Sequence, residues 1–528
     1  MAIYDNQVSF DHDDDHVVVV IGSGAGGGTL ANKLAQQGID VVILEAGSLI
    51  PSEQFIADEF DSLLQLAWLD PRTSSGDYSL VKSSPTFPAW LCKAVGGTTI
   101  HWAGASLRFK EHELKAKTTY GDIAGTSLMD WPLSLQELEP YYDQAERMLN
   151  VTRTHGIPGL PANNNFKVMH AGASKVGYSQ CHTGRMAINT STRDGRAYCR
   201  QRGFCFQGCI YNAKWSTLYT EIPEALATRR VELRPNSFVT RIEHDDSGKA
   251  SGVVYIDAKG VEQRQKARLV AVAGNAIETA RLLLNSESAR FPQGLANGSD
   301  QVGRNYMRHV SGAVYGVYDE PVHYYKGTTM AGIIEDESGH DAKRDFAGGY
   351  YLETLGFGLA YTALFIQPQA WGRDFTRLID NFNHLAGAWI CGEDMPQSGN
   401  RVTLNADVKD GHGLPVANVH YSDHENDIAI RNHAYEMGGE VYRAAGTSEI
   451  IHTPPYPSAH NMGTCRMSAD PDDGVCNKFG QSHEVPNLFI SDGSQFVTSG
   501  ACNPTLTIVA LAIRQADHIR EQLHSKAL

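Results

Sequence analysis

The sequence predicts an α/β fold whose nucleotide-binding part is discontinuous along the chain. Three observations carry this: a glycine-turned β-α-β pattern near the start, a strand meander ending in a second buried strand far downstream, and a strand, loop and long helix at the end. The 528 residues are too many for one ordinary core and leave room for a second domain threaded through the first.

The first element is VVVVIGSGAGGGTLANKLAQQGIDVVILEAG, residues 17–47. The valine run reads as a buried parallel strand, the glycine turn opens an amphipathic helix to about Gly38, and VVILE reads as the next strand. Gly22, Gly24 and Gly27 make GxGxxG: the first permits the tight turn, the second lets backbone touch a pyrophosphate, and the third brings helix close to strand. A diphosphate would sit on the helix N-terminus. Glu45 closes the second strand, where a carboxylate accepts from both ribose hydroxyls and repels a 2′-phosphate. The unit is Rossmann-like and its nucleotide is adenine-linked, FAD or NAD.

The second element spans 231–275, with SFVTRIEHDD, SGVVYIDAKG and ARLVAVAGN as short strands joined by polar turns, followed by AIETARLLLNS as a helix. A meander returning to the nucleotide sheet so late leaves intervening residues to form a cap over an isoalloxazine, which favours FAD. Asn275 and Ala276 then stand where the returning strand meets the flavin. The third element has a buried strand at 488–491, a glycine-containing loop, and a long helix starting near Pro504, since proline suits the first helical position. The positive end of that helix would stabilise negative charge on reduced flavin, or the helix simply closes the sheet.

Composition narrows the function. A formal charge of −15 and no run of basic residues interleaved with aromatics exclude a nucleic-acid surface. No stretch reaches the roughly eighteen uninterrupted apolar residues of a membrane span. The acidic start, MAIYDNQVSFDHDDDH, is unlike a signal peptide, so the chain alone is expected to be cytoplasmic. Nine cysteines without framework spacing point to thiols or metal ligands rather than disulfides.

GSGAGG with Glu45, AVGGTTIHWAG (94–104), VGRNYMRH (302–309), HNMGTCRM (460–467) and the SDGS…NPTLT ending together resemble the glucose-methanol-choline oxidoreductases, in order over essentially the whole chain. Within the family the likeness is to the large subunits of bacterial sugar dehydrogenases of the glucose, fructose, gluconate and glucoside 3-dehydrogenase group. The resemblance implies an FAD-binding domain over 14–115, 190–310 and 460–528. It also implies a substrate-binding cap domain, built on an antiparallel sheet, over 116–189 and 311–459.

The resemblance also assigns residues. His460, in HxxGTxxM, matches the family's catalytic histidine, and a neutral imidazole suits removal of a hydroxyl proton while hydride leaves to flavin. Asn503 matches the position that orients the same hydroxyl, although an asparagine before a proline-led helix is equally a good N-cap. Gly97 and His101 lie in the segment against the flavin; His101 is either covalently bonded to it or lines it. Asp492 resembles the acid contacting the ribityl and pyrophosphate region, whereas His309, His452 and Cys465 are read as structural. In the resembled group three cysteines with five and then three intervening residues hold a 3Fe-4S cluster. Cys199, Cys205 and Cys209 repeat that spacing. On the residues alone, zinc completed by a distant ligand such as His182, or plain reduced thiols, stay open. Arg200 and Ile210 depart from the related pattern, which leaves the cluster's potential and its partner open.

The expectation is therefore an FAD dehydrogenase oxidising a sugar, glycoside or sugar acid, glucose C1 or glucoside C3 first. Its electrons pass through 3Fe-4S to a cytochrome c-type acceptor. The resemblance implies co-export to the periplasm with a small subunit carrying the export signal, and only indirect contact with a membrane. An oxygen-using oxidase, a non-redox lyase and a flavin-binding protein are the alternatives.

Overall fold

The computed structural model describes residues 4, 7–68, 89, 91–455 and 458–528. Residues 69–88 and 90 of the 14–115 segment, and 456–457 of the cap segment, lie outside the described residues. Five parallel strands form one sheet: β1 (Val18–Ile21), β2 (Val41–Leu44), β3 (Val231–Arg234), β4 (Leu269–Val272) and β5 (Leu488–Ile490), in the order β5-β4-β1-β2-β3. Val18 pairs with Leu269 on one side and Val41 on the other. Every residue of β1, β2, β4 and β5 is buried, which is why these strands read as unbroken apolar runs.

Three helices follow the strands toward one edge. α1 (Ala25–Gln36) leaves β1 through the glycine turn and packs beside α3 (Thr505–His524), while α2 (Ala276–Asn285) leaves β4. The carboxyl ends of β1, β4 and β5 converge there, the place where open parallel sheets take ligands. The sequence reading began its meander at 231, but the structure divides that stretch. VELR is β3, and the meander proper is the three-stranded sheet Phe238–His244, Ala250–Ile256 and Glu262–Lys266. Glu232 and Arg234, paired at 2.8 Å, interrupt the apolar signature that would otherwise mark β3.

A second, six-stranded antiparallel sheet has the order 449–452, 313–317, 385–392, 350–354, 332–334, 181–183. The helices Asn164–Val176 and Glu425–Ala444 pack on it. All five parallel strands fall within 14–115, 190–310 and 460–528, and all six antiparallel strands within 116–189 and 311–459. Among the described residues no helix is long and apolar enough to cross a membrane.

Candidate active site

A cavity of about 340 Å³ runs from the glycine turn to the antiparallel sheet. Gly22, Gly24, Glu45, Gly97, His101, Asn275, Asp492, His460 and Asn503 all line it, gathered from six separate segments. Gly27 lies just behind, and the geometry assigns the three motif glycines different tasks. Gly22 sits at φ +97°, left-handed backbone that L side chains rarely adopt. A Cβ on Gly27 would lie 2.1 Å from the Gly22 carbonyl oxygen, so that glycine is what lets α1 close on the turn. A Cβ on Gly24 would meet only Gly97 Cα, at 3.8 Å, and would otherwise project into cavity space. Gly24 is also the N-cap of α1 and makes no side-chain cap bond, which leaves first-turn N–H groups available to an anion. This cradle fits a dinucleotide diphosphate.

Two buried carboxyls brace the same end. Glu45 accepts from the Ser23 amide (3.1 Å) and hydroxyl (2.7 Å) and from the Gly47 amide (2.8 Å). Burial nevertheless pushes its carboxyl above the ordinary carboxylate range. Asp492 accepts from the Asn275 amide (2.9 Å) and the Thr279 hydroxyl (2.6 Å), tying β5 to the start of α2. Asn275, at φ 78°, caps α2 by accepting from the Ile277 amide at 3.2 Å.

At the other end His460 is half-buried and its Nδ1 lies 2.8 Å from Nδ1 of His309. His309 Nε2 lies 3.1 Å from the Ser499 carbonyl oxygen, which can only accept. His309 therefore carries its proton on Nε2 and presents a bare Nδ1. His460 must donate through Nδ1–H, which leaves the lone pair on His460 Nε2. Burial first, and then His309, push His460 well below the usual histidine range, so it is neutral at neutral pH. His309 was expected to be structural; in the fold it is also the hydrogen-bond partner that sets the tautomer of His460. Its backbone is left-handed (φ 67°), and the Asp394 carboxylate holds it by accepting from the Arg308 (2.8 Å) and His309 (3.0 Å) amides. Trp389 meets the His460 ring edge-on at 5.4 Å between centroids.

The Asn503 side chain does not cap α3. Pro504 already has helical φ/ψ, Asn503 Oδ1 meets no donor among the described residues, and Asn503 Nδ2 instead donates to Glu353 Oε2 at 3.3 Å. Sequence reading missed Glu353, Trp389 and Cys391, whose Sγ lies 3.6 Å from His309 Nδ1. Their only trace in the sequence is an acid inside the apolar run YYLET and the aromatic and thiol in LAGAWICG. His452 stacks on Tyr435, and Cys465 is buried in the core.

The cysteine loop borders the cavity from one side. Phe206 lines the main cavity, while Cys199, Cys205 and Cys209 line a separate cavity of about 50 Å³. Their three sulfurs do not all lie within 4.8 Å of one another. A single tetrahedral zinc, with Zn–S of about 2.3 Å, would need them closer, and His182 is engaged by Glu335 at 2.9 Å. Burial and the neighbouring thiols push Cys199 up to about 11. Buried Lys214 joins the two cavities by donating to the carbonyls of Ile100 (2.6 Å), Trp102 (2.6 Å) and Cys205 (2.8 Å). His101 lies between the first two of these carbonyl residues, and burial, with Lys214 nearby, pushes it down to about 4.

Residues 43–311 and 396–512 match the models of the two conserved parts of GMC oxidoreductases. The chain is 35% identical to 2-methyl-1,2-propanediol dehydrogenase of Mycolicibacterium austroafricanum, over 96% of this chain and 95% of that protein. It is 29% identical to the fructose dehydrogenase large subunit of Gluconobacter japonicus, over 96% of this chain and 98% of that one. Among solved structures, pyridoxine 4-oxidase from Mesorbium loti has the same fold, with a TM-score of 0.67 at 15% identity over 96% of this chain and 99% of that one.

Proposed function

The chain belongs to the GMC oxidoreductases, and we propose that within this family it is an FAD-dependent dehydrogenase that oxidises a hydroxyl of a sugar, glycoside or sugar acid. The observation that carries the reading is the lone pair of His460 Nε2, fixed by His309 and Ser499, on a histidine that lines the same cavity as the glycine cradle. Bound there, FAD supplies the hydride acceptor. Gly22, Gly24, Glu45, Asn275 and Asp492 hold its nucleotide part, and Gly97 and His101 border the flavin. His460 Nε2 takes the hydroxyl proton. The imidazolium so formed keeps its Nδ1–H on His309 Nδ1, which spreads the new charge without moving a second proton. The aromatic and aliphatic walls, among them Trp389, Phe357 and Leu355, exclude water from this transfer.

The same walls favour one second reading. Apolar surface suits a small branched diol better than a free hexose, and a relative 35% identical to this chain is named for such a substrate. Cys199, Cys205 and Cys209 would hold a 3Fe-4S cluster, which supplies one-electron chemistry; their shared cavity and wide sulfur spacing support that over zinc. A small partner subunit with the export signal, a periplasmic location and a cytochrome c-type acceptor complete the proposal. The subunit is supported by the name of the fructose-oxidising relative.

The test is anaerobic: glucose, gluconate, methyl glucosides and 1,2-diols are mixed with the purified holoenzyme while the visible flavin band is followed. At least one class bleaches it rapidly. A flavin bleached by dithionite but by no alcohol would reject the dehydrogenase.

A further inference from the structure

Glu353 stands on the strand Tyr350–Thr354, directly opposite Trp389, and is completely buried. Its Oε2 accepts from Asn503 Nδ2. The two other oxygens of this pair, Glu353 Oε1 and Asn503 Oδ1, are buried and meet no donor among the described residues. Two adjacent acceptors without a donor are costly, and folded proteins keep such pairs where a ligand or an ordered water completes them. Asn503 lines the cavity, and the neighbouring walls Met330, Leu355 and Phe357 offer no side-chain hydrogen-bonding donor.

The reacting hydroxyl cannot be the missing donor. Its one proton goes to His460 Nε2, and its oxygen can take the second N–H of Asn503 Nδ2, the first being given to Glu353 Oε2. The acceptors therefore call for a second O–H. We propose that Glu353 and Asn503 together receive a second hydroxyl of the substrate, so that the enzyme selects diols and polyols over mono-alcohols. This rests on the reading of His460 as the base. It adds recognition of a neighbouring hydroxyl to the orienting role that the family resemblance gives Asn503.

The experiment measures anaerobic flavin reduction, as kred/Kd, for matched pairs: 1,2-propanediol against 1-propanol, and a methyl glucoside against its monodeoxy analogues. Wild-type holoenzyme should prefer the hydroxylated member by about a hundredfold, the scale set by the cost of leaving a buried polar group unsatisfied. Glu353→Gln, which keeps the shape but trades one acceptor for a donor, should lower that ratio about tenfold. Glu353→Leu should bring it to within about threefold of unity. A wild-type ratio near one would show that water serves these acceptors and would overturn the proposal, as would a ratio unchanged in Glu353→Gln. Failure of the underlying reading looks different: neither member of any pair then reduces the flavin, and both conclusions fall.

Discussion

The two ends of the cavity are built on opposite principles. At the glycine end the backbone makes the site: removing Cβ atoms at Gly22, Gly24 and Gly27 creates a turn, a close helix and an open cradle within six residues. At the histidine end side chains make it, and each depends on a partner about 150 positions away, His309 with His460 and Asn503 with Glu353. The glycine end should therefore fail all at once, by steric exclusion of its ligand. The histidine end should fail by degrees, as one hydrogen bond after another is removed.

The largest effect expected is at the glycine end. Gly24→Val should abolish FAD retention while leaving the melting temperature of the flavin-free protein unchanged, because the added atoms enter cavity space. Gly27→Val should prevent folding, since its Cβ meets backbone at 2.1 Å. Full flavin content in Gly24→Val, measured by absorbance after gel filtration, would remove the dinucleotide from this cradle.

Next comes His460→Ala, which should keep FAD and slow flavin reduction by about a hundredfold or more, the scale of losing a general base. Near-normal reduction would take His460 out of the mechanism. His309→Leu should cost about tenfold in the reduction rate with little change in substrate Kd, because His460 loses the acceptor that fixes its tautomer. A variant that lost only thermal stability would return His309 to a structural role and erase the contrast between the two ends.

Acidity offers a smaller and sharper test. The base works deprotonated, and burial with His309 alongside holds His460 far below 6.5, so its activity is lost only as pH falls through that depressed value. Burial also pushes Glu353 up to about 7, which would overlay its own titration, so the measurement belongs in Glu353→Gln. There the flavin reduction rate should stay level from about pH 8 down to 6.5. An acid limb at or above 6.5 would contradict the desolvated, neutral base. The smallest expected effect on flavin reduction is that of Cys205→Ser, within about twofold of the parent provided FAD is retained, while iron and acid-labile sulfide fall to background. Zinc in the parent, found by elemental analysis, would refute the cluster.

Much of the glycine end was legible in the sequence because its contacts are local. A four-valine strand, a GxGxxG turn and a terminal acid follow one another within thirty or so residues, and spacing alone sets their relative positions. The late return of the sheet was legible too, since β4 and β5 are buried on both faces and read as apolar runs ending in polar loops. β3 was not, because the Glu232–Arg234 pair gives it the pattern of a surface strand. His460 and Asn503 were found through motif resemblance, whereas Glu353 and Cys391 sit in strands that carry no motif.

What the sequence determined by itself was thus the nucleotide cradle, the candidate base and the three-thiol spacing, each a pattern closed within a short stretch. Only the tertiary structure decided which nitrogen of His460 is bare, that His309 sets it, and that Asn503 turns toward Glu353 instead of capping its helix. Those choices depend on which donors and acceptors meet once the antiparallel sheet closes over the parallel one. Hydrogen-bond satisfaction in a buried site is a property of the whole set of neighbours, and no single segment carries it.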